Sequence, residues 1–234
     1  MLTLLSALKF GKIAATSATM LLSIAVYAGA FGWRYAAGFV ALLLIHELGH
    51  FFAARRRGLS VGAPIFIPFV GAYIALKEQP HDVETEAYVA IAGPVVGSFG
   101  AFIMYALARS ENNDLLLAVS YAGFFLNLFN LLPISPLDGG RITAIISPRI
   151  WLLGAPLMGA AFFFYPSPIF IVIAFAAVPK LRQAWHYDPR APANVAYFGV
   201  PTETRVEYTL LYLMLILVLA AMTYSVHGML GGIR

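Results

Sequence analysis

The sequence predicts an all-α polytopic membrane protein of six to seven transmembrane helices, with a short β-rich re-entrant segment after the second helix. Three observations carry this. Of 234 residues, 61% are hydrophobic and only 11% charged, whereas a soluble domain carries about 25% charged residues. Several apolar runs approach or exceed the ~20 residues that cross a bilayer as helix. The basic residues lie in short intervals between those runs, where they act as topology signals. The net charge of +4 is therefore not a nucleic-acid surface, and no nucleic-acid partner is expected. The absence of cysteine excludes disulfides, thiolate metal sites and cysteine nucleophiles.

The spans read as 13–31, 35–54, 87–108 and 115–133, then a long apolar region 150–178, and 207–226. Each is a helix, because an isolated segment in lipid has to satisfy its own backbone. Lys9 and Lys12 before an apolar stretch, with Ala28-Gly29-Ala30 after it, resemble a signal peptide. Span length and the further spans that follow at once favour a retained helix. Region 150–178 is too long for one span, and Pro166-Ser167-Pro168 breaks it.

Charge counting chooses between one kinked span and a two-helix hairpin there. With a cytoplasmic amino terminus and a hairpin, the cytoplasmic side holds Lys9, Lys12, Arg55, Arg56, Arg57, Lys77, Arg141, Arg149, Lys180, Arg182, Arg190 and Arg205. Those are twelve of the 15 Lys and Arg residues; only Arg34, Arg109 and Arg234 fall outside. A single span would move the basic residues of 179–206 outside as well. The positive-inside rule favours the hairpin, hence seven crossings with six as the alternative. Residues 1–234 then form one membrane-embedded domain with a cytoplasmic loop at 179–206.

Residues 58–80 do not read as a loop in water. Val61 to Leu76 is apolar and rich in β-branched and aromatic residues, while Gly62, Pro64, Pro68 and Gly71 rule out a regular helix. It is too short to cross as helix. Two forms are open: a β-rich re-entrant segment backed by protein or a water cavity, or an interfacial loop on the headgroups.

The second span ends Leu44-Ile45-His46-Glu47-Leu48-Gly49-His50, an H-E-x-x-H pattern. Residues four apart lie about 40° apart around a helix axis, so His46 and His50 can offer imidazoles to one ion. Glu47 is placed to take a proton from water at that ion. Between Tyr35 and Ala54 these three are the only ionisable side chains besides that tyrosine, and a carboxylate in hydrocarbon costs several kcal/mol unless compensated. A polar cluster joining helices is the competing explanation. If Arg55 to Arg57 mark the cytoplasmic interface, His50 and His46 lie roughly 7 and 13 Å inside it, within a hydrocarbon half-thickness of ~15 Å.

A hydrolytic zinc site has three protein ligands and one open position. The fourth span runs outside to inside and leads to Asp138, the only carboxylate nearby, on the side where the two histidines lie. Alone, Asp138-Gly139 reads equally well as a turn; beside H-E-x-x-H it reads as the third ligand. His81, His186 and His227 read as linker or interfacial residues, and Asn127 as structural.

The chain resembles the site-2 proteases, intramembrane zinc metalloproteases, in a short form. The resemblance rests on His46-Glu47-Leu48-Gly49-His50, on N-x-x-P-x-x-x-L-D-G from Asn130 to Gly139, and on Ala92-Gly93-Pro94 between them. It covers residues 35–145, a catalytic core. It implies one Zn2+ per chain held by His46, His50 and Asp138, with Glu47 as catalytic carboxylate and Asn130 holding substrate or stabilising the oxyanion. Pro68 to Tyr73 resembles the family's membrane-dipping β segment, along whose edge a frayed substrate could add as a strand. The implied partners are a transmembrane protein substrate, cut in regulated intramembrane proteolysis, and the lipid bilayer. The implied place is a bacterial inner membrane, with the active site toward the cytoplasm. No oligomeric state is implied.

Two departures from the family stand out. No PDZ domain or CBS pair fits in the sequence, and Val95-Val96-Gly97-Ser98 stands where the family often shows an asparagine. The competing function is a non-catalytic regulator that binds membrane helices, which would need no general base at Glu47.

Overall fold

The computed structural model describes residues 2–69, 71–76, 78–164 and 166–232, with side chains from Ala14 onward except at 75 and 76. Lys77 and Arg234, which entered the charge count, lie outside the described residues. Two long helices, α1 (Leu2–Phe31) and α2 (Trp33–Arg56), are separated by Gly32 at φ 82°, a left-handed turn that favours glycine. A hairpin of β1 (Val61–Ile67) and β2 (Gly71–Leu76) follows, then α3 (Val83–Glu111), α4 (Asp114–Asn130) and the short α5 (Asp138–Thr143). Beyond a 3-10 turn at Pro148–Ile150 come α6 (Trp151–Phe164), α7 (Pro168–Trp185), the short α8 (Pro192–Phe198) and α9 (Thr202–Gly231).

Helices α1, α2, α3, α7 and α9 are long and apolar enough to cross a membrane, and α4 and the 148–164 segment are shorter apolar helices. That makes seven, within the six to seven expected. The 150–178 region is two helices. Ser167 is extended and Pro168 opens α7 at a position where its missing N–H costs nothing. The hairpin closes through Met158, Phe170, Ile173 and Ala177.

Helix ends depart from the hydropathy boundaries. Residues 179–185, expected in the loop, continue α7 to Trp185, with Pro179 inside the helix. Buried Ala184 joins that last turn to the cluster that holds Trp151, Val83, Ala87 and Phe198. Helix α3 begins at Val83 because the Asp82 carboxylate accepts the Thr85 N–H at 2.7 Å, and it ends at Asn112 in the left-handed region. Helix α4 stops three residues short of Pro133, whose ring disfavours helix before it. Hydropathy locates the apolar window; caps and prolines set the ends.

The core is α2, α3 and α4, drawn close by small residues. A Cβ at Gly123 would strike Leu42 and Ala101, and one at Gly100 would press on Leu42 and Ile45. Helix α9 packs on the outside of α4, with Tyr212, Leu219 and Val226 buried against Leu117, Phe124 and Leu131.

The hairpin confirms the β-rich half of the reading for 58–80. It is antiparallel, pairing Pro64 with Ile74, Ile65 with Tyr73, Phe66 with Ala72 and Ile67 with Gly71. Helix α1 covers its β1 edge. Thr16 Oγ1 donates to the Pro64 carbonyl at 2.7 Å, Phe66 N–H donates to Thr19 Oγ1 at 3.3 Å, and Phe69 N–H donates to the Tyr27 hydroxyl at 2.9 Å. Pro64 and Phe66 thus turn their backbone groups away from β2, which makes them non-hydrogen-bonded pairs. Their partners Ile74 and Ala72 turn their own N–H and C=O to the opposite edge. One edge is capped, and among the described residues none pairs with the other.

Replacing Thr19 with nearly isosteric Val leaves the Phe66 N–H without its acceptor, a cost of about 1–3 kcal/mol. Hydrogen exchange of the Phe66 amide in detergent micelles is expected to accelerate by about tenfold or more. An unaltered rate would show that the Thr19 hydroxyl does not cap this edge.

Candidate metal centre

His46 and His50 lie one turn apart on α2, 3% and 8% exposed, with their Nε2 atoms 3.1 Å apart. Asp138, the first residue of α5, brings Oδ2 to 3.2 Å from each of them. The remaining ring nitrogens fix the protons. His46 Nδ1 faces Asn127 Oδ1 at 2.8 Å, and Asn127 spends its own amide donor on the Gly123 carbonyl at 2.7 Å. His50 Nδ1 faces the Val89 carbonyl at 2.8 Å. Both partners can only accept, so in neutral rings both Nδ1 atoms carry the hydrogen and both Nε2 atoms present lone pairs.

With neutral rings, three electron-pair donors converge with no hydrogen between them, an arrangement that a cation stabilises. A tetrahedral zinc site with bonds of about 2.0–2.1 Å separates its ligands by about 3.3 Å, close to the observed edges of 3.1, 3.2 and 3.2 Å. The residues fit the group.

Small residues make the approach possible. Helices α2 and α3 meet so closely at Gly49 that a Cβ would run into the Ala92 carbonyl. One at Gly93 would occupy the place of the His50 ring, and one at Gly97 that of the Asn127 amide. Gly93 and Gly97, four apart on α3, are two notches that receive the two partners of the site. On the other side, a Cβ at Gly139 would meet the Leu131 carbonyl, and one at Gly140 the backbone of Ile134 and Ser135. The glycine pair lets α5 lie on the 131–135 backbone, where Trp151 Nε1–H donates to the Gly140 carbonyl at 2.6 Å.

Ligand atoms of Glu47, His46 and His50 all lie within 4.8 Å of one another. Among the described residues the Glu47 carboxylate has no hydrogen-bond partner, and it lines a cavity of about 360 Å³ with both histidines and Asp138. Asn130, the last residue of α4, lies on the same wall. The β2 residues Ala72 and Ile74 also line it, so the free edge of the hairpin opens onto the site. All five residues singled out in the sequence thus come together. His81, His186 and His227 are exposed and elsewhere. What the sequence reading missed is the support: the acceptor role of Asn127, the Val89 carbonyl, and Arg141. The Gly93–Gly97 spacing was a visible sign of close helix contact.

Residues 34–113 match the model of peptidase family M50. A zinc metalloprotease of Methanocaldococcus jannaschii is 30% identical over 128 residues, 52% of this chain but only 37% of that protein. A second protein of that organism, provisionally named a zinc metalloprotease, is 30% identical over 138 residues, 50% of this chain and 72% of its own length. Among solved structures, a site-2 protease from the same organism aligns with a TM-score of 0.47 and 22% identity, covering 72% of this chain and 88% of that one.

Asn127→Leu removes the acceptor that holds the His46 ring. Such outer partners carry about ten- to a hundredfold of metal affinity, so zinc binding measured by chelator competition is expected to weaken by that factor. Wild-type affinity in the variant would mean that the His46 ring is held without Asn127.

Proposed function

The chain belongs to peptidase family M50, the site-2 proteases, and from that premise we propose that it is an intramembrane zinc metalloendopeptidase that cuts transmembrane segments of membrane proteins. The observation that carries the reading is the convergence of His46 Nε2, His50 Nε2 and Asp138 Oδ2 to within 3.1–3.2 Å of one another, beside the Glu47 carboxylate, which has no hydrogen-bond partner among the described residues. His46, His50 and Asp138 would hold the zinc. When bound, the ion supplies Lewis-acid polarisation of a peptide carbonyl and acidifies water.

The remaining chemistry belongs to the chain. Glu47 takes a proton from the attacking water on its carboxylate and delivers it to the leaving amine nitrogen. No hydrogen bond among the described residues ties that carboxylate down. Asn130, on the cavity wall, donates its side-chain amide to the negative charge developing on the scissile oxygen. A substrate helix has to fray first, since an intact helix buries its carbonyls in its own hydrogen bonds. The frayed segment then adds to the outward N–H and C=O groups of Ala72 and Ile74, the edge that α1 leaves open. An extended strand there meets the site with its backbone paired, as a low-dielectric setting demands. On this reading the hairpin is the re-entrant segment of the core 35–145, and the Lys and Arg distribution supports a site toward the cytoplasm.

Glu47→Gln keeps the side-chain volume and all three ligands but removes the base. The variant is expected to retain zinc and to cleave a transmembrane substrate in proteoliposomes at least about a hundredfold more slowly. Cleavage at the wild-type rate would remove Glu47 from the chemistry.

A further inference from the structure

The two carboxylate oxygens of Asp138 have different neighbours. Oδ2 faces both histidines at 3.2 Å, while Oδ1 faces Arg141 Nη1 at 3.7 Å across one turn of α5. Arg141 in turn places Nε 3.6 Å from Glu86 Oε1 near the start of α3. The other oxygen of Glu86 accepts a hydrogen bond from the Tyr197 hydroxyl at 2.7 Å. Four side chains from α5, α3 and α8 thus form one chain of contacts that ends on Asp138.

The outer end of this chain is itself fixed. Phe198, next to Tyr197, is 5% exposed within the cluster of Val83, Ala87, Ala144 and Ile145. The Arg205 guanidinium donates from Nη2 to the Phe198 carbonyl at 2.6 Å and from Nη1 to the Ile145 and Ile146 carbonyls at 2.6 and 2.7 Å. One cation thereby ties α8 to the turn that follows α5. Burial and the Glu86 anion push the Tyr197 phenol up from its ordinary range, so it stays a hydrogen-bond donor.

We propose that Arg141 is a positioning residue for the metal ligand Asp138, buttressed by Glu86 and Tyr197. By attracting Oδ1 it stops the carboxylate from rotating and leaves Oδ2 as the one oxygen offered beside the imidazoles. The Arg141 contacts of 3.6 and 3.7 Å are longer than hydrogen bonds, so the attraction is of charge to charge rather than a bidentate fork. Helix α8, outside the stretch that matches the family model, thereby acquires a role at the site. Removing the guanidinium frees Asp138 and also leaves Glu86 without its cation in a poorly solvated place.

The inference rests on the metal reading proposed above. Its test is zinc affinity of the full chain in detergent, measured by chelator competition, which does not depend on proteolysis. Arg141→Gln is expected to weaken zinc binding about ten- to a hundredfold. Arg141→Lys, which keeps the charge, is expected to recover most of the loss. Tyr197→Phe, which releases Glu86, is expected to weaken binding about two- to tenfold. Wild-type affinity in Arg141→Gln, or equal losses in the Lys and Gln variants, would overturn the proposal. Should Arg141→Gln not fold, Tyr197→Phe decides, and wild-type affinity there overturns the buttress. A wild-type chain that binds no zinc would instead overturn the metal reading.

Discussion

Two imidazole nitrogens and a carboxylate oxygen, lone pairs turned toward one another at about 3 Å, repel unless a cation stands among them. The protein holds that arrangement among side chains that are only 3–8% exposed. Much of the fold follows from the need to fix each donor independently. His46 is held from α4 through Asn127, and His50 from α3 through the Val89 carbonyl. Asp138 is held by a short helix that two glycines press onto the 131–135 backbone. The three notches at Gly49, Gly93 and Gly97 are what let α2, α3 and α4 come close enough to supply those partners. A bulkier residue at Gly93 or Gly97 would displace a ring or an amide, and one at Gly49 would push α2 off the Ala92 backbone of α3.

The second constraint is the backbone. On the proposed re-entrant placement every N–H and C=O of the two-stranded sheet needs a partner. Helix α1 meets half of that need with three side chains on one face, Thr16, Thr19 and Tyr27. The other half stays open at Ala72 and Ile74, and that edge borders the cavity with the proposed zinc ligands. On the proposed reading the unpaired edge is the substrate's place. Edge and metal are then two halves of one demand: the substrate backbone has to be both unwound and satisfied.

The legible parts of this protein were local. His46, Glu47 and His50 stand together in sequence, so helical spacing alone placed the two histidines on one face with Glu47 beside them. Pro166 and Pro168 declared the break between α6 and α7, because proline acts on its immediate neighbours. Asp138 is distant in sequence and became legible only through topology, by counting Lys and Arg. The contacts that orient the site were not legible. His46 to Asn127 spans 81 residues and Tyr197 to Glu86 spans 111, and no local pattern announces such pairs. Helix ends were also misplaced, at Leu2 and Trp185 most of all, because apolarity reports a segment's surroundings and not where its hydrogen bonds stop.

The central claim is that His46, His50 and Asp138 form one metal site. Metal analysis of the purified full chain beside its Asp138→Ala variant tests it most directly. The account predicts about one zinc per chain in the wild type and loss of that zinc in the variant. A wild type without stoichiometric metal, or a variant that keeps its zinc, would contradict it.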